Sequence, residues 1–176
     1  MTLPKVEVKK ILYATDLSEN ARFAFAYAVS LADLYGAKIT MLHVLPEVSK
    51  LMDKHVIGYI DPEKWEEIKA QHFKEAKEAL IGKSKDHLAI KQVLHQFSEK
   101  VKEGQEGEGF ITDDIIVERG NPVEKILKHA EERHCDLIVM GTHGHGTLED
   151  VMLGSTARRV IRRSKMPVLV VRLPES

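Results

Sequence analysis

Short apolar runs, each too brief for a helix, alternate along this chain with stretches of helical periodicity, and that alternation narrows the fold more than any other feature. Ile11-Leu12-Tyr13-Ala14, between Lys10 and Thr15-Asp16, reads as a strand buried on both faces. From Asn20 to Tyr35 the residues Ala21, Ala24, Ala28, Leu31, Ala32 and Tyr35 recur at helical spacing, and Gly36 supplies a stop. Lys38 to Leu45 is the second strand, expected to end near Val44 because Pro46 lacks the N–H that a central ladder needs. A third strand is expected over Asp114 to Val117, a fourth over Cys135 to Met140 and a fifth over Val168 to Arg172. Asn121-Pro122-Val123-Glu124 opens the helix between the third and fourth strands, with Asn121 as cap, Pro122 in the first position and Glu124 closing a capping box. Ser155 to Arg163 is a further short helix.

The stretch from Glu47 to Gly109 is less regular. A helix is expected from Pro62 to about Ile81, with Trp65, Ile68, His72, Ala76 and Leu80 on one face, and a second around Leu88 to Val101. Glu103 to Gly109 combines glycine with acidic residues and reads as a solvated loop. The segment at about 47–110 is therefore expected to be an irregular or helical insertion. The order of elements predicts an α/β fold: a doubly wound, Rossmann-like domain spanning 1–176, with a five-stranded parallel sheet and helices on both faces. Its 176 residues are material for one core.

In open sheets of this class small molecules bind beyond the carboxyl ends of the strands, where strand order reverses. Two segments fall there. After the apolar run ending at Met140 the chain passes through Gly141, Gly144 and Gly146 to Gly154-Ser155-Thr156. Gly141 and Gly144 can take positive φ and turn their amides to an anion, and Gly154 to Thr156 open a helix whose free N–H groups and dipole favour phosphate. At the end of the first strand, Asp16 can accept from ribose hydroxyls or help hold a divalent metal such as magnesium on the phosphates. It can equally be a turn or helix-capping residue ahead of Ser18-Glu19-Asn20.

Other signals are weaker. A formal net charge of −1 supplies no global attraction to nucleic acid or to an anionic membrane. The single cysteine, Cys135, excludes an intramolecular disulfide and reads as a small apolar filler. No apolar run approaches the ~20 residues that cross a bilayer, and cytoplasmic residence is expected. The nine histidines include no H-E-x-x-H pair. Arg158, Arg159, Arg162 and Arg163 form either a basic patch or cations suited to the end of their own helix.

Gly141-x-x-Gly144, nine residues, then Gly154-Ser155 resembles the nucleotide-binding signature of the universal stress protein family. The resemblance extends to Ile11 through Asn20, Leu42-His43-Val44-Leu45, Cys135 through Gly141, and Met166 through Arg172. It implies an ATP-binding (or ADP- or AMP-binding) stress-response module. Ala14, Thr15 and Asp16 would lie beside the ribose, the Val44 backbone against the adenine and Met140 near the sugar. Gly141, His143, Gly144, Gly154, Ser155 and Thr156 would surround the phosphates. It also implies a homodimer paired through the last strand, which as an apolar edge is prone to such pairing in any case. An enzyme is the alternative: a slow ATPase or phosphotransferase using Asp16 and a metal, although the chain lacks G-x-x-x-x-G-K-[ST] and its phosphate-reaching lysine. A partner-binding protein with a vestigial site is the third reading.

Overall fold

The computed structural model describes residues 3–46, 90–104, 110–142 and 153–173. Strand β1 (Lys10–Thr15) leads through helix α1 (Glu19–Tyr35) to β2 (Lys38–Pro46). Helix α2 (90–103) precedes β3 (Ile111–Gly120). Then follow α3 (Pro122–Glu132), β4 (Leu137–Gly141), α4 (Ser155–Arg163) and β5 (Val168–Val171). All five strands are parallel, in the order β3-β2-β1-β4-β5. The expected α/β architecture is therefore present, and strand order reverses between β1 and β4.

Strand alternation sends successive side chains to opposite faces, and both faces are covered. Ile11, Tyr13, Ile39, Met41, Ile115 and Val139 pack under α1 and α2 with Phe25, Val29, Leu94 and Phe110. Leu12, Ala14, Leu42, Ile138 and Met140 pack under α3 and α4 with Val123, Ile126, Ala130, Ala157 and Val160. Helix α2, expected at Leu88 to Val101, belongs to the first of these layers: Leu94 and Ser98 are buried, and the Ser98 hydroxyl lies 2.6 Å from that of Thr112.

Element ends differ from expectation for local reasons. The strand expected at Asp114 to Val117 runs from Ile111 to Gly120. It is an edge strand whose polar residues find partners on the helices, Asp114 with Arg133 at 2.7 Å and Glu118 with His129 at 2.7 Å, and an irregularity opposite Ile39/Thr40 breaks its alternation. Strand β2 continues to Pro46 rather than stopping near Val44, because a terminal residue has no further rung to donate to. Cys135 precedes β4 instead of opening it; its N–H closes α3 on the Ala130 carbonyl at 2.9 Å. Arg172 lies just beyond β5. Asn121 caps α3 as expected, accepting from Val123 and Glu124 N–H at 3.0 and 3.3 Å. Glu124 does not close a box: its carboxylate takes both arms of Arg163 at 2.6 and 3.2 Å. The helix expected from Pro62 to Ile81 and residues 105–109 lie outside the described residues, and among those described no helix is long and apolar enough to cross a membrane.

Candidate functional site

At the carboxyl ends of β1, β2 and β4, where strand order reverses, lies a cavity of about 400 Å³. Strand β1 delivers Ala14 and Thr15 and the following turn Asp16; β2 delivers Leu42 and Val44; β4 delivers Met140 and Gly141, followed by Thr142. The first turn of α4 adds Gly154, Ser155, Thr156 and Ala157, and the first turns of α3 add Pro122 and Ile126. The residues singled out from sequence are thus brought together, except His143 and Gly144, which lie outside the described residues. Sequence reading missed Thr142 and the apolar wall of Leu42, Pro122 and Ile126. Pro122 and Ile126 were legible as a helix start and a buried face, but nothing local says that this helix begins beside the ends of β1 and β2.

The cavity is chemically two-sided. Leu42, Val44, Pro122 and Ile126 make one side apolar; Thr15, Asp16, Thr142 and the start of α4 make the other polar. Gly154 is the N-cap of α4 at φ −61 and ψ 154 and contributes no side-chain hydrogen bond to the helix amides. The Arg158 N–H makes the first intrahelical bond, to the Gly154 carbonyl at 3.0 Å, and the Gly154 N–H, expected free, is taken by the Thr142 carbonyl at 2.8 Å, so the amides of Ser155, Thr156 and Ala157 are the ones that point out of the helix end beside the cavity. Ends of this kind attract anions through their N–H groups and dipole.

The β1–α1 turn is built by side chains. The Thr15 hydroxyl accepts the Leu17 N–H at 3.0 Å, Asp16 Oδ1 accepts the Ser18 N–H at 3.0 Å, and the Ser18 hydroxyl caps α1 by accepting the Ala21 N–H at 3.1 Å. These bonds hold Leu17 at φ 67, in the left-handed region. Asp16 therefore does serve the turn, and it also lines the cavity. Buried His43, on β2 beside Thr15, completes the anchor: its Nδ1 lies 2.8 Å from the Thr15 carbonyl, which can only accept, so that nitrogen carries the proton.

Gly141 corrects an expectation. It closes β4 without positive φ, which among the described glycines occurs at Gly36 and Gly120. A Cβ at Gly141 would stand 2.6 Å from Asn20 Oδ1 and 3.0 Å from its Cγ, so what glycine supplies here is room for a neighbouring amide. Cys135 is not among the residues that line the cavity; burial pushes its thiol up to about 11, against a nucleophilic role.

With this geometry in view, the likeness to known proteins is informative. The profile of the Universal stress protein family matches residues 7–172. Universal stress protein MJ0577 of Methanocaldococcus jannaschii is 33% identical over 172 residues, covering 97% of this chain and 99% of the relative. The solved structure of MJ0577 superposes with a TM-score of 0.67 at 32% identity, over 97% of this chain and 100% of the other. Universal stress protein YxiE of Bacillus subtilis is 32% identical over 164 residues, 93% of this chain and 98% of the relative. A universal stress protein solved in complex with cAMP, 21% identical and covering 94% of this chain and 98% of its own, shares the fold with a TM-score of 0.57. With its profile match, its sheet order and its near full-length relatives, this chain belongs to the universal stress protein family.

Proposed function

We propose that the protein binds an adenine nucleotide in the cavity at the strand-order reversal and acts as a nucleotide-responsive regulatory module. The observation that carries this reading is the cavity's two-sidedness: an apolar slot of Leu42, Val44, Pro122 and Ile126 suited to a flat base, and opposite it the start of α4. In the proposed pose the adenine lies against Val44, the ribose beside Ala14, Thr15, Asp16 and Met140, and the phosphates over Gly141, Gly154, Ser155 and Thr156. His143 and Gly144 join the phosphate side on the family resemblance alone. That another protein of this fold was solved with cAMP agrees with this reading; at 21% identity the likeness itself concerns the fold.

Asp16 is the one carboxylate among the cavity's described lining residues, and no three His, Cys, Asp or Glu side chains among the described residues cluster as a metal site. A magnesium ion would therefore arrive with the nucleotide, held by its phosphates and Asp16, the usual pattern for this cation. No lysine or arginine lines the cavity among those residues. Cytoplasmic residence and pairing of two chains along the β5 edge (Val168–Arg172) belong to the same proposal; among the described residues β5 has only β4 beside it in the sheet.

Calorimetric titration of nucleotide-stripped protein with ATP and AMP, with and without magnesium, tests the reading when followed by an assay for released phosphate. Saturable binding near one nucleotide per chain with little turnover is expected. Absence of binding by either nucleotide would overturn it, and steady phosphate release would replace the module with an ATPase.

A further inference from the structure

Asn20 is a buried amide in the first turn of α1, 5% exposed, and two of its side-chain bonds reach beyond its own helix. Its Nδ2 donates to the Val171 carbonyl at the end of β5 at 3.2 Å, and its Oδ1 accepts from the Thr142 hydroxyl at 3.2 Å. The amide's orientation follows from chemistry, since a carbonyl can only accept. Val171 also accepts the Thr142 N–H at 3.0 Å, and the Thr142 carbonyl accepts the Gly154 N–H at 2.8 Å. One run of bonds thus leads from Asn20 through Thr142 to the N-cap of α4. The same amide fills the space that a Cβ on Gly141 would need.

We infer that Asn20 is a positioning residue of the nucleotide site: it sets the exit of β4 relative to the start of α4, and the part of the affinity contributed by the phosphates depends on it. This rests on the nucleotide reading above. Asn20 need not touch the ligand; it acts through Thr142 and Gly154, which line the cavity. An alanine at this position would take away the amide that Thr142 and Val171 share and would leave Gly141 and Thr142 without their stop. The adenine side, built from β2 and α3, receives none of these bonds.

The test compares ATP with adenosine, which keeps base and ribose and lacks phosphate, in the wild type, Asn20→Ala, Gly141→Ala and the double variant, with thermal midpoints measured alongside. Asn20→Ala is expected to bind ATP about tenfold more weakly, with adenosine affinity changed by less than about twofold. Gly141→Ala should show the same selective loss. The double variant should bind ATP no worse than Asn20→Ala, because removing the amide makes room for the new methyl; such non-additivity marks direct coupling. Asn20→Ser, which keeps one hydroxyl, should fall between wild type and alanine, and carries the same ATP-to-adenosine comparison should the alanine variant not fold. A fall in thermal midpoint with both affinities unchanged, or an equal fall for ATP and adenosine, overturns the positioning role while leaving the nucleotide reading in place. A wild type that binds neither ligand overturns both.

Discussion

Tyr13 and Ala14 are consecutive on β1, yet they look into two layers filled by different rules. On the Tyr13 side, aromatic rings interlock: Phe25 stands 4.8 Å from Tyr13, 5.1 Å from Phe97 and 5.6 Å from Phe110, centroid to centroid. The Tyr13 hydroxyl is satisfied by the Ala21 carbonyl at 2.6 Å, and burial raises its pKa above the ordinary phenol range. On the Ala14 side the buried cluster among the described residues holds no aromatic ring, and between Ala14 and Ala157 the layer opens into the cavity. That layer is tied instead by polar pairs around its rim, where Glu118 accepts from His129 at 2.7 Å and pairs with Lys125 at 3.2 Å, and Arg163 grips Glu124. One face of the sheet thus concentrates stability, and the other gives up packing to keep a volume open.

The widest gap between the two layers should appear on truncating Phe25, which is 1% exposed. Phe25→Ala is expected to cost about 3–5 kcal/mol in chemical denaturation while ATP affinity of the folded protein stays unchanged; a large affinity loss would show that the aromatic layer also shapes the site. Gly154→Val inverts that result. Its backbone, at φ −61 and ψ 154, accepts a side chain without strain, so stability should change by about 1 kcal/mol or less while calorimetry detects no ATP binding. Intact affinity would remove the start of α4 from the phosphate site.

Asp16 separates turn from ligand. Asparagine keeps an oxygen for the Ser18 N–H and alanine does not, so Asp16→Ala should lose about 1 kcal/mol and Asp16→Asn almost nothing, while both weaken magnesium-dependent ATP binding. Affinity unchanged in the Asp16→Asn variant would leave Asp16 with its turn alone. The smallest effect concerns the rim. Burial alone would raise the Glu118 carboxyl, but the bonds from His129 and Lys125 prevail and hold it below its ordinary 4.5. A depressed carboxyl adds stability above its unfolded pKa and loses it as pH falls through the folded value. Acid unfolding of wild type should therefore steepen below about pH 4.5, and Glu118→Gln should flatten that limb; identical acid profiles would show that the rim pairs hold nothing together.

Much of this was readable in one dimension because it is set by local chemistry. The spacing of Ala21, Ala24, Ala28 and Ala32 is a helix face whatever it packs on, Asn121 followed by Pro122 starts a helix in any context, and Thr15-Asp16 directly after an apolar run falls at a strand's carboxyl end. The strand β3 was half hidden because its polar residues are acceptable only at an edge where α2 and α3 supply partners. Asn20 was hidden altogether: as a letter it is one more polar residue near a helix start, and its meaning lies in Val171, 151 positions away.

The amino-acid sequence by itself determined the alternation of strands and helices and the helix stops and starts, since each follows from periodicity and capping within a few residues. Only the tertiary structure decided that Pro122 and Ile126 would wall the cavity, that Gly141 is small because Asn20 is there, and that one face would be sealed by rings while the other stayed open. Those outcomes depend on which distant surfaces meet, and contacts between distant segments leave no periodic trace in a single chain.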